Sequence, residues 1–202
     1  MTLDQLRPVA DRLLGPFVSA SVRLGVTPDV VSVVAFVLAG GAGGAFYLGG
    51  TDPIWYLVGG LLVFLNGWLD LLDGALAREL GTDSLAGDLL DHVLDRYADI
   101  VIIAGLAAGV GRFALGLAAV TGVLMTSYLG TQAQAVGLDR VYGGLLGRAD
   151  RLALIGFTGA LASVVTATPA GLSVVSWLLV VFAVVGHVTA LQRFYYSWRS
   201  LA

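Results

Sequence analysis

Six long apolar runs constrain this chain more than any other feature of its sequence. They cover residues 30–50, 54–77, 89–111, 113–136, 151–168 and 172–194. A helix needs about 20 predominantly apolar residues to cross the hydrocarbon of a bilayer. Backbone groups in lipid find no water, so a spanning segment must satisfy its own N–H and C=O groups, and these runs are too long and too unalternating for barrel strands. The connections 51–53, 111–112 and 168–171 are so short that neighbouring helices must form antiparallel hairpins. Composition agrees: 57% of the 202 residues are apolar and 12% charged, against about 45–50% and about 25% in soluble domains. The expected fold is all-α, an integral membrane bundle of six transmembrane helices over residues 30–194, within one domain spanning 1–202.

Residues 1–26 differ from the rest. Leu3, Leu6, Val9, Leu13, Leu14, Phe17, Val18 and Val22 recur at three- and four-residue steps among Asp4, Arg7, Asp11, Arg12 and Arg23. This pattern predicts an amphipathic helix lying in the membrane interface rather than a cleavable signal peptide. All 11 basic residues are Arg. With the N-terminus in the cytoplasm, Arg7, Arg12, Arg23, Arg78, Arg96, Arg140, Arg148, Arg151, Arg193 and Arg199 lie inside and only Arg112 lies outside. That asymmetry places both termini on the cytoplasmic side of the cell membrane.

Charge and chemistry narrow the function. A net charge of −3 provides no phosphate-neutralising surface, so nucleic acid is not an expected partner. The chain has no Cys and two His, which removes thiolate chemistry and leaves oxygen or imidazole as metal ligands.

Eight of the 14 acidic residues, Asp70, Asp73, Glu79, Asp83, Asp88, Asp91, Asp95 and Asp99, fall within 30 residues at the second inter-run connection. Asp70 and Asp73 share one helix face, Asp91 and Asp95 another, and a hairpin would oppose the two faces. Each isolated carboxylate at a bilayer centre costs about 2.5–3.5 kcal/mol, so the cluster needs a counter-charge. Hard oxygen ligands suit Mg²⁺, Mn²⁺ or Ca²⁺, with room for two ions. Gly74 and Gly87 leave backbone open beside the acids, Ala77 continues the small face, and Arg78 adds a cation. Metals, exposed backbone and Arg together can hold a diphosphate.

The sequence Asp70-Leu-Leu-Asp73-Gly74-Ala-Leu-Ala77-Arg78, then eight residues to Gly87, three to Asp91 and three to Asp95, resembles the signature of the CDP-alcohol phosphotransferases at every fixed position. The resemblance implies six membrane helices, an interfacial N-terminal helix and a cytoplasmic active site. It also implies transfer of the phosphate-lipid part of a CDP-linked lipid to an alcohol, with release of CMP. On this reading Asp70, Asp73, Asp91 and Asp95 hold Mg²⁺ or Mn²⁺, Asp95 deprotonates the acceptor, and Gly74, Ala77, Arg78 and Gly87 take the CDP group. Thr27-Pro28-Asp29-Val30-Val31-Ser32 is similar to the family's segment at the first span, which adds Asp29 to the CDP contacts; Pro28 alone is also an ordinary helix start. A single displacement is expected, since no Cys, Ser-His pair or Lys suggests a covalent intermediate.

Arg148 and Arg151, three apart, and Arg193 suit a phosphorylated acceptor, although positive-inside anchoring would also place Arg there. Ser127 to Leu152 is similar to the branch making inositol-phosphate lipids, but Gly130 and Gln132 stand where that branch usually carries Lys and Arg, which keeps glycerol 3-phosphate as a rival. Absent Lys and abundant Gly, Ala and Val suit a GC-rich genome such as a halophilic archaeon's, making the donor CDP-archaeol or CDP-diacylglycerol. Asp88 and Asp99 read as partners of the cluster or helix-end charges, Asp83 and Glu79 as loop charges, His92 as a packed or interfacial residue, and His187 as an interhelical hydrogen-bonding group. The Gly40-x-x-x-Gly44 pair means close helix packing first and a homodimer interface second. A membrane prenyltransferase and a cation or proton transporter are the competing uses of such an acidic cluster.

Overall fold

The computed structural model describes residues 7–82, 84–139 and 145–201, with side chains from residue 13 onward. Asp83 and Arg140 lie outside the described residues, as do the side chains of Leu3, Leu6, Arg7 and Arg12. Seven α-helices and one 3-10 turn make up the described secondary structure, with no strand among the described residues: α1 Arg7–Arg23, α2 Pro28–Gly49, α3 Ile54–Leu80, α4 Leu85–Gly109, α5 Phe113–Ala135, α6 Arg148–Ala162, the turn Pro169–Gly171, and α7 Val174–Leu201.

Local chemistry sets the helix ends nearest the acids. Thr27 Oγ accepts from the amide of Val30 at 3.4 Å, and Pro28 occupies the first turn of α2, where its missing N–H costs nothing. Gly81 ends α3 with φ 61°, a left-handed conformation that glycine adopts without steric penalty. Ser84 then starts α4 by accepting from the amide of Gly87 at 3.0 Å. α3 and α4 both pack on α2, and carboxylate oxygens of Asp70 on α3 and of Asp91 and Asp95 on α4 come within 4.8 Å of one another.

The helices pack in backbone-close pairs. α2 contacts α3 and α4, α3 contacts α6, α4 contacts α5, and α5 contacts α7. A Cβ built on Gly105 would lie 2.1 Å from the carbonyl oxygen of Gly43, so α2 and α4 meet where neither carries a side chain. Gly122 and Gly186 bring α5 and α7 together in the same way. Small residues permit this approach in lipid, where dispersion rather than water expulsion drives association. Phe46, Ile102, Leu106, Leu179 and Phe182 fill the centre. Val37, Leu61, Leu117, Phe157, Val184 and Leu191 are exposed on the outside, a surface suited to lipid rather than water.

α2, α3, α5 and α7 are each long and apolar enough to cross a membrane. The other two expected runs differ from simple spans. The acids of the cluster occupy the first half of α4. α6 starts at Arg148 and ends at Ala162, short of the expected 168. α7 continues past Arg193 to Leu201, so Arg193 lies inside the helix and not at its end. α1 buries Leu14 and Val18 against Leu72 and Leu76 of α3, while Phe17 meets Trp68 edge-on at 5.4 Å.

Candidate active site

α3 and α4 supply the carboxylates. Asp70, Asp91 and Asp95 each present an oxygen, and these atoms lie within 4.8 Å of one another, close enough to share a divalent ion. Asp73 is buried beside them, and its Oδ2 accepts a hydrogen bond of 2.7 Å from Ser32 Oγ on α2. All four carboxylates border a void of about 10 Å³, roughly the space of one water molecule. An all-oxygen donor set of this kind fits Mg²⁺ or Mn²⁺.

α6 closes the site from the side. Arg148 Nη1 is 2.5 Å from Asp70 Oδ2 and Nη2 is 2.6 Å from Asp95 Oδ1, so one guanidinium joins α3 to α4. A turn further along, Arg151 Nη2 pairs with Asp99 Oδ2 at 2.8 Å, with both residues buried. Spacings of four on α4 and three on α6 thus make two rungs of one ion-pair ladder. Arg96 Nη2 adds a weaker contact to Asp95 at 3.4 Å.

Next to the acids is a cavity of about 410 Å³, within the range of small-ligand sites. Asp29, Gly74, Ala77, Arg78 and Gly87 all line it, with Asp73 and Asp91 on its inner wall. A Cβ on Gly87 would sit 3.6 Å from Asp29 Oδ1 and 3.2 Å from Ser84 Oγ, so the glycine keeps this wall open.

The three arginines expected at the acceptor are placed differently. Only Arg148 reaches the carboxylates. Arg151 is held by Asp99, and Arg193 is buried between α5 and α7, where Nη1 donates to the Thr126 carbonyl at 2.7 Å; neither lines the two cavities just described. His92 Nδ1 lies 2.8 Å from the Asp88 carbonyl on its own helix, and His187 Nε2 lies 3.4 Å from Thr121 Oγ1 across the α5–α7 interface. Sequence reading missed Ser32. The available signal was a hydroxyl three residues after Asp29, on the same helix face, in an otherwise apolar run.

A helical bundle with facing carboxylates beside a ligand-sized cavity defines a class of protein that can hold an anionic ligand through divalent ions. Residues 25–189 match the CDP-alcohol phosphatidyltransferase family, and the chain belongs to it. It is a metal-dependent transferase and a multi-pass membrane protein, and that membership decides against the prenyltransferase and transporter readings. Archaetidylinositol phosphate synthase of Methanothermobacter thermautotrophicus is 31% identical over 204 residues, covering 98% of this chain and 95% of the relative. Phosphatidylinositol phosphate synthase of Mycobacteroides abscessus is 35% identical over 189 residues, covering 90% and 82%. The crystal structure of Mycobacterium tuberculosis phosphatidylinositol phosphate synthase with CDP-DAG bound superposes with TM-score 0.79 at 25% identity, covering 93% of this chain and 94% of that one. A second structure of that enzyme, with manganese and citrate, gives TM-score 0.78 at 25% identity over 92% and 88%.

Proposed function

We propose that this enzyme transfers the phosphate-lipid portion of a CDP-linked lipid to a hydroxyl of inositol phosphate and releases CMP. The observation that carries the reading is the wall shared by the donor cavity and the carboxylates: Asp73 and Asp91 belong to both. The two synthases named above, similar over nearly the whole chain, both carry inositol phosphate in their names. CDP-archaeol and CDP-diacylglycerol present the same headgroup to this wall.

Asp70, Asp73, Asp91 and Asp95 hold the divalent ions, two in this reading. When bound, such ions stabilise charge developing on the diphosphate oxygens. Asp29, Gly74, Ala77, Arg78 and Gly87 orient the CDP group. Asp95 accepts the hydroxyl proton as the acceptor oxygen forms its bond to the lipid phosphorus. The bond from that phosphorus to the CMP oxygen breaks, and CMP leaves with the electron pair. Arg148, Arg151 and Arg193 form the cationic side of the acceptor site. Arg148 stands in direct reach, and its planar fork matches a phosphate; Arg151 and Arg193 reach an acceptor only by leaving their present partners.

The same reading takes residues 1–202 as one catalytic domain with six spans and an interfacial α1. α4, of 25 residues, is about 37 Å long at 1.5 Å per residue, enough to cross despite its acids. α6 at 15 residues is about 22 Å; it packs on α3 and turns Phe157 outward. The arginine asymmetry supports an active site at the cytoplasmic face. A homodimer is also part of the proposal: Gly40 and Gly44 have no neighbour within 4 Å of a built Cβ, leaving that stripe for another helix.

Purified enzyme supplied with CDP-lipid and a panel of inositol phosphate, glycerol 3-phosphate, free inositol and serine tests the acceptor, with product mass as readout. Inositol phosphate is expected to be the preferred acceptor. Preference for glycerol 3-phosphate would overturn that choice, and Gly130 and Gln132 would then mark the difference.

A further inference from the structure

Asp73 is 7% exposed, and a buried carboxylate is tolerated only where hydrogen bonds or opposite charges replace its water. It borders the same small void as Asp70, Asp91 and Asp95 without joining the three oxygens that lie within 4.8 Å of one another. Its side-chain partner is Ser32 Oγ, 2.7 Å away and 41 residues earlier in the chain. Ser32 is equally buried, at 7% exposure. Its oxygen also lies 3.2 Å from the Pro28 carbonyl, but a hydroxyl carries one proton, and the contact to Asp73 is the shorter of the two. Oδ2 of Asp73 is thereby tied to α2.

Ser32 also occupies a junction. It lines both the donor cavity and the void among the carboxylates, and one turn before it, on the same face, Asp29 stands opposite Gly87 of α4. The first turns of α2 therefore touch both arms of the acidic hairpin. The segment Thr27-Pro28-Asp29-Val30-Val31-Ser32 ends on this serine, but the contact expected of that segment is Asp29 alone, and the acidic signature does not reach it.

We infer that Ser32 is a positioning residue: its hydroxyl fixes the Asp73 carboxylate for the divalent ion and ties the ion site to the nucleotide wall. This rests on the reading that Asp73 is a metal ligand. Partners that orient metal ligands typically contribute about 10- to 100-fold in affinity.

The test uses the full-length purified enzyme and Mn²⁺ alone, titrated by the paramagnetic resonance signal of free Mn²⁺, with Ser32→Ala, Ser32→Cys, Ser32→Thr and Asp73→Asn. Ser32→Ala is expected to weaken Mn²⁺ binding about tenfold or more, Ser32→Cys to do the same because a thiol donates poorly, and Ser32→Thr to restore binding. In kinetic assays kcat falls while the KM for the acceptor stays. A merely structural serine would instead lower metal-free thermal stability and leave Mn²⁺ affinity alone. Unchanged Mn²⁺ affinity in Ser32→Ala or Ser32→Cys overturns the inference. If Asp73→Asn also binds Mn²⁺ as the parent does, the assignment of Asp73 itself fails; if only Asp73→Asn is weakened, Asp73 keeps its role and Ser32 loses its own.

Discussion

Arg148 Nη2 lies 2.6 Å from Asp95 Oδ1, so a residue of α6 sits directly on the carboxylate that the proposed mechanism uses as base. Its other arm is on Asp70. One guanidinium thus balances two acids, one on α3 and one on α4, that would otherwise repel. In the proposed function the same cation also meets the phosphorylated acceptor.

Arg148→Ala should therefore raise the KM for the acceptor more than that for the CDP-lipid. A charged hydrogen bond is worth about 1.5–3 kcal/mol, so a loss of about tenfold to a hundredfold in acceptor kcat/KM is expected. Arg148→Lys should recover little, because an ammonium cannot span both carboxylates. Equal effects on donor and acceptor would reduce Arg148 to a structural counter-charge.

Asp91→Asn and Asp95→Asn should each abolish turnover while circular dichroism and size-exclusion profiles stay at the parent's. Retention of more than about a tenth of activity, roughly 1.4 kcal/mol of barrier, would contradict the assigned roles.

The Arg151–Asp99 pair, 2.8 Å apart and buried on both sides, makes a prediction about stability. Removing one partner strands a buried charge, at a cost of about 3–5 kcal/mol. Asp99→Leu and Arg151→Leu should each lower the melting temperature in detergent, and the double variant should lie closer to the parent than the sum of the two. Additive losses would mean that the pair is not coupled.

Gly105→Ala tests the backbone contact between α2 and α4. A Cβ there would meet the Gly43 carbonyl oxygen at 2.1 Å, so the helices must separate, at a cost of about 1–3 kcal/mol. An unchanged melting temperature would place the two helices further apart than described.

Much of the site was readable in one dimension because its spacing is local. Asp70, Asp73, Gly74, Ala77, Arg78, Gly87, Asp91 and Asp95 fall on two successive helices with a short connection, so helical periodicity alone predicts which of them share a face. Ser32 with Asp73, and Arg151 with Asp99, are 41 and 52 residues apart; only tertiary packing brings them together, and no local pattern encodes it. Helix ends failed for a different reason. Hydropathy cannot distinguish helix from extended chain in residues 163–168, where Val164, Val165, Thr166 and Thr168 are β-branched and Pro169 disfavours helix in the residue before it. α7 passes Arg193 without ending because that side chain finds the Thr126 carbonyl inside the bundle.

The central claim is that the acidic hairpin works through a divalent ion to cleave a CDP-linked lipid, and CMP release measures it most directly. Purified enzyme given CDP-lipid and inositol phosphate should release no CMP after chelation and should regain activity when Mn²⁺ or Mg²⁺ is restored. CMP release that persists after chelation, or none from any acceptor with the ions present, would contradict it.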